Sequence, residues 1–164
     1  QRQMCIRDSY ISTVNAVRAL PDSVSRHVVD DMKALLTVTS NQAAQLANHF
    51  VSADGTGRIA IICPDDLIKP VREAVRHRLS SLMAPSEYQR LIDQPEWDEQ
   101  ISVCGTEMVK GLEFDAVIVI EPGRIEDDAP SRLVAASDLY VATTRPTQKL
   151  VIVRTKEDER SLNI

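Results

Sequence analysis

The segment 109–121 reads VKGLEFDAVIVIE, a charged turn that runs directly into an apolar strand. Its second half, AVIVI over 116–120, contains no polar residue, which is typical of a strand buried on both faces of a parallel sheet. Ahead of the strand, Lys110 and Glu113 flank Gly111, whose missing side chain allows a tight turn and the close approach of a ligand. The segment therefore predicts an α/β protein in which a charged turn is held beside a buried strand.

The rest of the chain alternates apolar segments of strand length with segments of helical periodicity. This alternation predicts a mostly parallel sheet with helices on both faces. Ligands of such sheets bind beyond the carboxyl ends of the strands, so we expect the turn 105–113, which follows a strand, at that edge. The predicted strands are 34–39, 58–63, 101–104, 115–121 and 149–154; the predicted helices are 10–19, 41–52 capped by Ser40, 64–83, and 130–144 with Leu133, Ala136 and Tyr140 on one face; the predicted loops are 54–57, 84–99 and 122–130.

Length and composition are those of a single globular domain: 164 residues, 43% hydrophobic and 26% charged. The net charge of −5 is unlike that of a domain that binds nucleic acid with its whole surface, so any such contact must be local. No apolar run is long enough to cross a membrane, no secretory signal is recognisable, and the spacing of the three cysteines fits no zinc site. We therefore expect a cytoplasmic protein with reduced thiols, no metal ligands of its own and no membrane contact.

Both ends of the chain differ from its middle. Residues 1–9 have neither helical nor strand periodicity and resemble translated sequencing-adapter sequence, so we expect either a sequencing or assembly artefact or a disordered tail. Residues 156–164 are mostly polar, and we expect them to fray. The predicted domain is therefore 10–155, and the natural protein extends further upstream if 1–9 is an artefact.

Two interpretations are open for the charged residues near the apolar strand. Lys110 could face a phosphate and Glu113 could accept a hydrogen bond from a sugar hydroxyl, or both belong to an ordinary charged surface turn. Arg145 ends an apolar helix, where a cation could simply stabilise the helix C-terminus or could act as an arginine finger on a transferring phosphoryl group. Taken singly, these residues do not decide between the interpretations.

Together, two segments resemble a known family. The turn KGLEF with its apolar strand, followed by LYVATTR over 139–145, resembles motifs V and VI of the UvrD/Rep-like superfamily 1 DNA helicases in order and spacing. Glu107, three residues before Lys110, is similar to the helicase IV (HelD-like) branch, whereas the UvrD core prefers histidine there. The resemblance covers about 101–153 and implies the second, C-terminal RecA-like domain of such an enzyme, of the P-loop NTPase type.

The resemblance implies a nucleotide site. These helicases hold ATP between two RecA-like domains, and the first domain supplies the phosphate loop and the carboxylates that bind Mg. By resemblance, Arg145 is the catalytic arginine finger on the γ-phosphate, and Glu113 contacts the ribose. Lys110 and Gly111 belong to the same nucleotide-contacting turn.

The resemblance also implies partners. Thr106 and Glu107 lie where the family approaches nucleic acid, expected to be single-stranded DNA. The chain contains no Gly-x-x-x-x-Gly-Lys-Ser/Thr loop, so it should be inactive alone and should need the N-terminal RecA-like domain of the same natural protein. Two alternatives stay open: a domain of an ATP-driven factor that remodels RNA polymerase, and an inert protein-interaction domain. Pro146, where the family often has alanine, should end the helix directly after Arg145.

Overall fold

Five parallel strands form one sheet in a computed structural model, which describes residues 23–51, 57–84, 100–127 and 130–161. The strands are β1 (Val24–Val29), β2 (Ile59–Ile62), β3 (Ile101–Cys104), β4 (Phe114–Ile120) and β5 (Pro146–Thr155). They lie in the order β1-β5-β4-β2-β3, so β4, which contains the apolar run 116–120, is the central strand. The predicted α/β class with a parallel sheet is confirmed.

Helices pack on both faces of this sheet, as predicted. The helices are α1 (Met32–Leu46), extended by a π-helical turn (Ala47–Val51), α2 (Asp65–Ser80), α3 (Pro122–Asp127), α4 (Arg132–Thr144) and α5 (Lys156–Ser161), and a 3-10 turn spans Thr106–Val109. One buried cluster joins the sheet to α1 and α2, and a second joins the opposite face to α3 and α4.

Alternate residues of β2 pack into the two hydrophobic clusters on opposite faces of the sheet. Ile59 and Ile61 belong to the cluster under α1 and α2, whereas Ala60 and Ile62 belong to the cluster under α4. All four are fully buried, and burying one isoleucine side chain contributes about 1.5–3 kcal/mol. Both faces of the central strands are packed. Groups available for binding must therefore come from the two sides of the sheet at which the strands begin and end.

The first predicted strand is wrong. Residues 34–39 lie inside α1, which begins after Asp31, whose carboxylate accepts a hydrogen bond from the Ala34 backbone N–H at 2.8 Å. Ser40 is not an N-cap, because it lies within α1 and its hydroxyl donates to the Thr37 carbonyl. Burial at helical spacing outweighs the β-propensity of this segment, and the strand forms upstream as β1. The buried residues of α1 with this spacing include Leu35, Thr39, Ala43 and Leu46.

Two segments predicted to be irregular form short helices. The predicted loop 122–130 contains α3, and the predicted frayed tail contains α5. The Asp158 carboxylate of α5 is buried and accepts a hydrogen bond from the Arg124 backbone N–H of α3 at 2.9 Å. The two helices therefore stabilise each other through a contact between distant positions, which local composition does not reveal.

The remaining predicted strands and helices are confirmed with shifted ends. α2 ends at Ser80 rather than Met83, and β5 begins at Pro146 rather than Lys149. Among the described residues, no helix is both long and apolar enough to span a membrane. The predictions for 1–9, 10–19, 54–56 and 85–99 lie outside the described residues.

The two cysteines that the structure describes are free thiols. Cys63 directly follows β2 and donates its backbone N–H to the Cys104 carbonyl at 3.1 Å. Cys63 packs under α1 and α2, whereas Cys104 packs against the cluster under α4, so their side chains lie on opposite faces of the sheet. Burial raises the pKa of Cys63 to about 12, which keeps this thiol protonated and unreactive at neutral pH.

Candidate functional site

The two family-like segments meet at the edge where β4 and β5 begin, here called the amino edge. Glu113 immediately precedes β4 and Arg145 immediately precedes β5, and the first residues of the two strands, Phe114 and Pro146, are paired. The expectation that the whole turn 105–113 lies at the carboxyl ends of the strands is therefore wrong. Its first residues follow β3 at that end, but the turn crosses back, because β3 and β4 are parallel members of one sheet.

Buried residues anchor both ends of an exposed turn. Val109 is fully buried and Phe114 is 3% exposed, and both pack in the cluster under α4. The four residues between them, 110–113, are all exposed. Gly111 has φ +79° and an added Cβ would meet nothing within 4 Å. The exposed turn 110–113 therefore needs glycine for its left-handed backbone, not for lack of space.

Lys110 already has two carboxylate partners in this chain. Its Nζ lies 2.5 Å from Glu107 Oε1 and 3.4 Å from Asp138 Oδ1. The hydrogen bond to Glu107, followed by the contact with Asp138, raises the pKa of Lys110 above its ordinary value. The ammonium is therefore a connector between the turn and α4, and its predicted contact with nucleotide stays a prediction.

Arg145 has a fixed backbone and an incompletely used guanidinium. α4 ends at Thr144, and Arg145 keeps helical dihedral angles (φ −79°, ψ −28°), although a following proline disfavours them. Its carbonyl accepts a hydrogen bond from the Phe114 N–H at 3.1 Å, which ties the helix end to the start of β4. Its Nη1 donates to the Leu112 carbonyl at 3.5 Å. Its Nε is buried and makes no hydrogen bond within the described part of the chain.

The other predicted site residues lie along the same turn. Glu113 is exposed. It directly precedes Phe114, and Phe114 pairs with Pro146, the residue after Arg145. Thr106 begins the 3-10 turn and is half-buried, and Glu107 is 75% exposed where it pairs with Lys110. The structure thus brings Lys110, Gly111, Glu113 and Arg145 to one edge, with Thr106 and Glu107 where the chain approaches it.

The sequence analysis assigned no role to two aspartates that help to build this edge. Asp138 of α4 is 8% exposed and lies against Lys110. Asp115 accepts hydrogen bonds from the Arg58 backbone N–H at 2.9 Å and from Gln148 Nε2 at 3.0 Å, and so ties the starts of β2, β4 and β5 together. The available signal for Asp138 was that it is the one acidic residue of the segment that forms α4.

The apolar face predicted for α4 is not its buried face. Leu133 is 82% exposed, Tyr140 is 56% exposed and Ala136 is also exposed. The buried side chains of α4 include Ala142 and Asp138. The helix therefore packs through Asp138, Leu139, Val141 and Ala142, and leaves Leu133 and Tyr140 in contact with solvent.

The opposite, carboxyl edge holds a buried polar cluster. Glu121 directly follows β4, is 3% exposed and has φ +48°. Its carboxylate accepts hydrogen bonds from the Thr155 N–H at 2.5 Å and from the Thr155 hydroxyl at 3.1 Å. Burial, together with the charge of nearby Asp158, raises the pKa of Glu121. No group of three or more His, Cys, Asp or Glu among the described residues is placed to hold a metal ion.

An ion pair crosses the point where the chain changes direction in the sheet. The helix after β2 covers one face and the helices after β4 cover the other, which makes the gap between these strands the switch point where ligands of doubly wound sheets bind. Here Arg124 Nη2 lies 2.7 Å from Asp66 Oδ2. The carboxyl edge is thus occupied by the chain's own side chains at the place where a ligand would be expected.

Comparison with known proteins shows a fold and no family. No protein-family model matches the chain, and no curated protein matches it. Among solved structures, the chain is similar to the C-terminal domain of a possible DNA helicase from Lactobacillus plantarum WCFS1, with a TM-score of 0.55 and 17% sequence identity over 87% of this chain and 82% of that one. At this identity the likeness concerns the fold alone, and the chain has an α/β fold of the RecA-like kind, shared with a helicase C-terminal domain.

Proposed function

We propose that this chain is the second motor domain of an ATP-dependent DNA helicase or translocase of the UvrD/Rep-like group, in its helicase IV-like branch. The observation that carries the proposal is the state of Arg145. Its backbone is fixed between α4 and β4, while its side chain is half-buried and, among the described residues, makes one hydrogen bond, from Nη1 to the Leu112 carbonyl at 3.5 Å. Donors left unused at a fixed position suit an anionic ligand that arrives from outside the domain.

In the proposed site, ATP lies between the amino edge of this domain and a separate N-terminal RecA-like domain. Arg145 donates hydrogen bonds to the γ-phosphate and stabilises charge that develops during transfer. Glu113, exposed at the end of the turn, accepts a hydrogen bond from a ribose hydroxyl. The N-terminal domain supplies the phosphate loop and the Mg ligands, as the resemblance to these helicases implies; the sequence of this chain contains no phosphate loop.

The test uses the natural protein with its upstream part and measures ATP turnover with and without single-stranded DNA. Arg145→Ala should lower the stimulated rate by about 10³–10⁵-fold, as for other arginine fingers. Arg26→Ala is the matched control, since Arg26 is an exposed arginine of the edge strand β1, and it should leave the rate unchanged. An unchanged rate in Arg145→Ala would contradict the proposal. ATP turnover that single-stranded DNA does not stimulate would favour a motor that acts on a protein such as RNA polymerase.

A further inference from the structure

Asp138 is buried without a full set of hydrogen bonds. It lies in α4 and is 8% exposed, and its Oδ1 makes no hydrogen bond within the described residues. Burying a carboxylate costs free energy unless a partner compensates it. The cation beside it is Lys110, whose Nζ lies 3.4 Å from that oxygen, a distance typical of an ion pair rather than a strong hydrogen bond.

The exposed turn is attached to α4 at two points. Lys110 reaches Asp138, and the Leu112 carbonyl accepts from Arg145 Nη1. Asp138 and Arg145 are seven residues apart, which is about two helical turns and places them on the same side of the helix. Gly111 lies between the two attachment points, and the Leu112 N–H donates to the Val109 carbonyl at 3.1 Å, so Lys110 and Leu112 belong to one hydrogen-bonded turn.

The two carboxylates around Lys110 are not equivalent. Glu107 belongs to the 3-10 turn that Lys110 directly follows, and its side chain is 75% exposed. Its pairing moves with the turn and cannot fix the turn relative to α4. Asp138 belongs to the helix, and its side chain is 11% exposed, so of the two carboxylates it is the one that ties Lys110 to the element that ends in Arg145.

We propose that Asp138 is a positioning residue for Arg145. It holds Lys110, the backbone of the exposed turn then places the Leu112 carbonyl, and this carbonyl orients the Arg145 guanidinium. The purpose of this orientation rests on the proposed function, in which the guanidinium must meet a phosphate. The series of contacts from Asp138 to Arg145 does not depend on the proposed function, and it can be tested without nucleotide.

The experiment uses this chain labelled with ¹⁵N-arginine and follows the Nε–Hε signal of Arg145, assigned by its loss in Arg145→Lys. Asp138→Asn, which keeps the size of the side chain and removes its charge, should move that signal and lower the pKa of Lys110. Glu107→Gln is the matched control, because it removes the other carboxylate of the same lysine and should leave the Arg145 signal in place. A carboxylate that served only the stability of α4 would change the melting temperature without moving the signal.

A double-mutant comparison tests the route through Lys110. Lys110→Met should reproduce the signal shift of Asp138→Asn, and the double variant should add nothing further. Because Lys110 is exposed, this variant keeps the test decisive if Asp138→Asn does not fold. An Arg145 signal that stays at its original position in Lys110→Met, or shifts that add in the double variant, would overturn the proposal.

ATP turnover of the natural protein then separates the two proposals. If the signal moves as expected and Asp138→Asn lowers turnover by less than Arg145→Ala does, both stand. If the signal moves but Arg145→Ala leaves turnover unchanged, Asp138 still positions Arg145 and the proposed function fails.

Discussion

The amino edge and the carboxyl edge of the sheet use charged residues in opposite ways. At the carboxyl edge, Glu121 is 3% exposed and both of its carboxylate oxygens accept hydrogen bonds from Thr155. At the amino edge, Glu113 is exposed and Arg145, half-buried, makes one side-chain hydrogen bond among the described residues, at 3.5 Å. Glu121 has both carboxylate oxygens satisfied within the chain, whereas Arg145 has donors left for a ligand.

This difference reverses the usual expectation for a doubly wound sheet. Ligands of such folds bind at the carboxyl ends of the strands, near the switch point, and here the Arg124–Asp66 ion pair spans that place. Polar groups that already have partners contribute to stability, whereas groups held in position without partners are available for binding. We therefore expect substitutions at the carboxyl edge to change folding and substitutions at the amino edge to change ligand contact.

The largest expected effect on stability comes from Glu121→Ala. The substitution leaves the buried N–H and hydroxyl of Thr155 without their acceptor, and should lower the free energy of unfolding by about 3 kcal/mol and the melting temperature by roughly 10 °C. Glu113→Ala at the other edge is the matched control and should change the free energy of unfolding by less than about 0.5 kcal/mol. Urea unfolding of both variants measures the contrast, and equal losses would remove the distinction between the edges.

A smaller loss is expected at Gly111. Gly111→Ala introduces no clash, because no atom lies within 4 Å of the new Cβ, but forces alanine into the left-handed region at a cost of about 1–2 kcal/mol. Gly111→Asn should cost less, since asparagine tolerates this conformation. Thermal unfolding of the pair tests whether backbone conformation shapes the exposed turn; equal destabilisation by alanine and asparagine would argue against it.

The smallest effect is a pH dependence of the carboxyl edge. Burial and the neighbouring Asp158 charge raise the pKa of Glu121, so the folded state binds this proton more tightly than the unfolded chain does. Its contribution to stability is fully present below the unfolded pKa near 4.5 and is lost as the pH rises through the folded pKa.

Unfolding midpoints of the wild type and of Glu121→Gln, measured in urea between about pH 4 and 8, test this pH dependence, because the amide cannot ionise. The difference between the two curves should show the wild type losing stability, relative to Glu121→Gln, as the pH rises. Parallel curves would show that Glu121 titrates alike in both states.

Local sequence was sufficient where one residue or a short run decides the backbone. The apolar run over 116–120 became the central strand β4, Gly111 adopted the left-handed turn, and Pro146 ended α4 after Arg145. Local sequence failed where distant partners decide. Residues 34–39 have strand propensity but form part of α1, because burial against the sheet recurs at helical spacing.

The sequence by itself determined the class of the fold and the two segments that form the candidate site. Buried strands must be apolar, and tight turns need residues such as glycine that tolerate a left-handed backbone. Residues close together in the sequence satisfy both requirements. Only the tertiary structure decided which edge carries the site, because the edge depends on the parallel pairing of β4 with β5. It also decided that Asp138 faces Lys110 and that Glu121 faces Thr155. Such contacts join residues 28 and 34 positions apart, and only packing of the whole sheet brings them together.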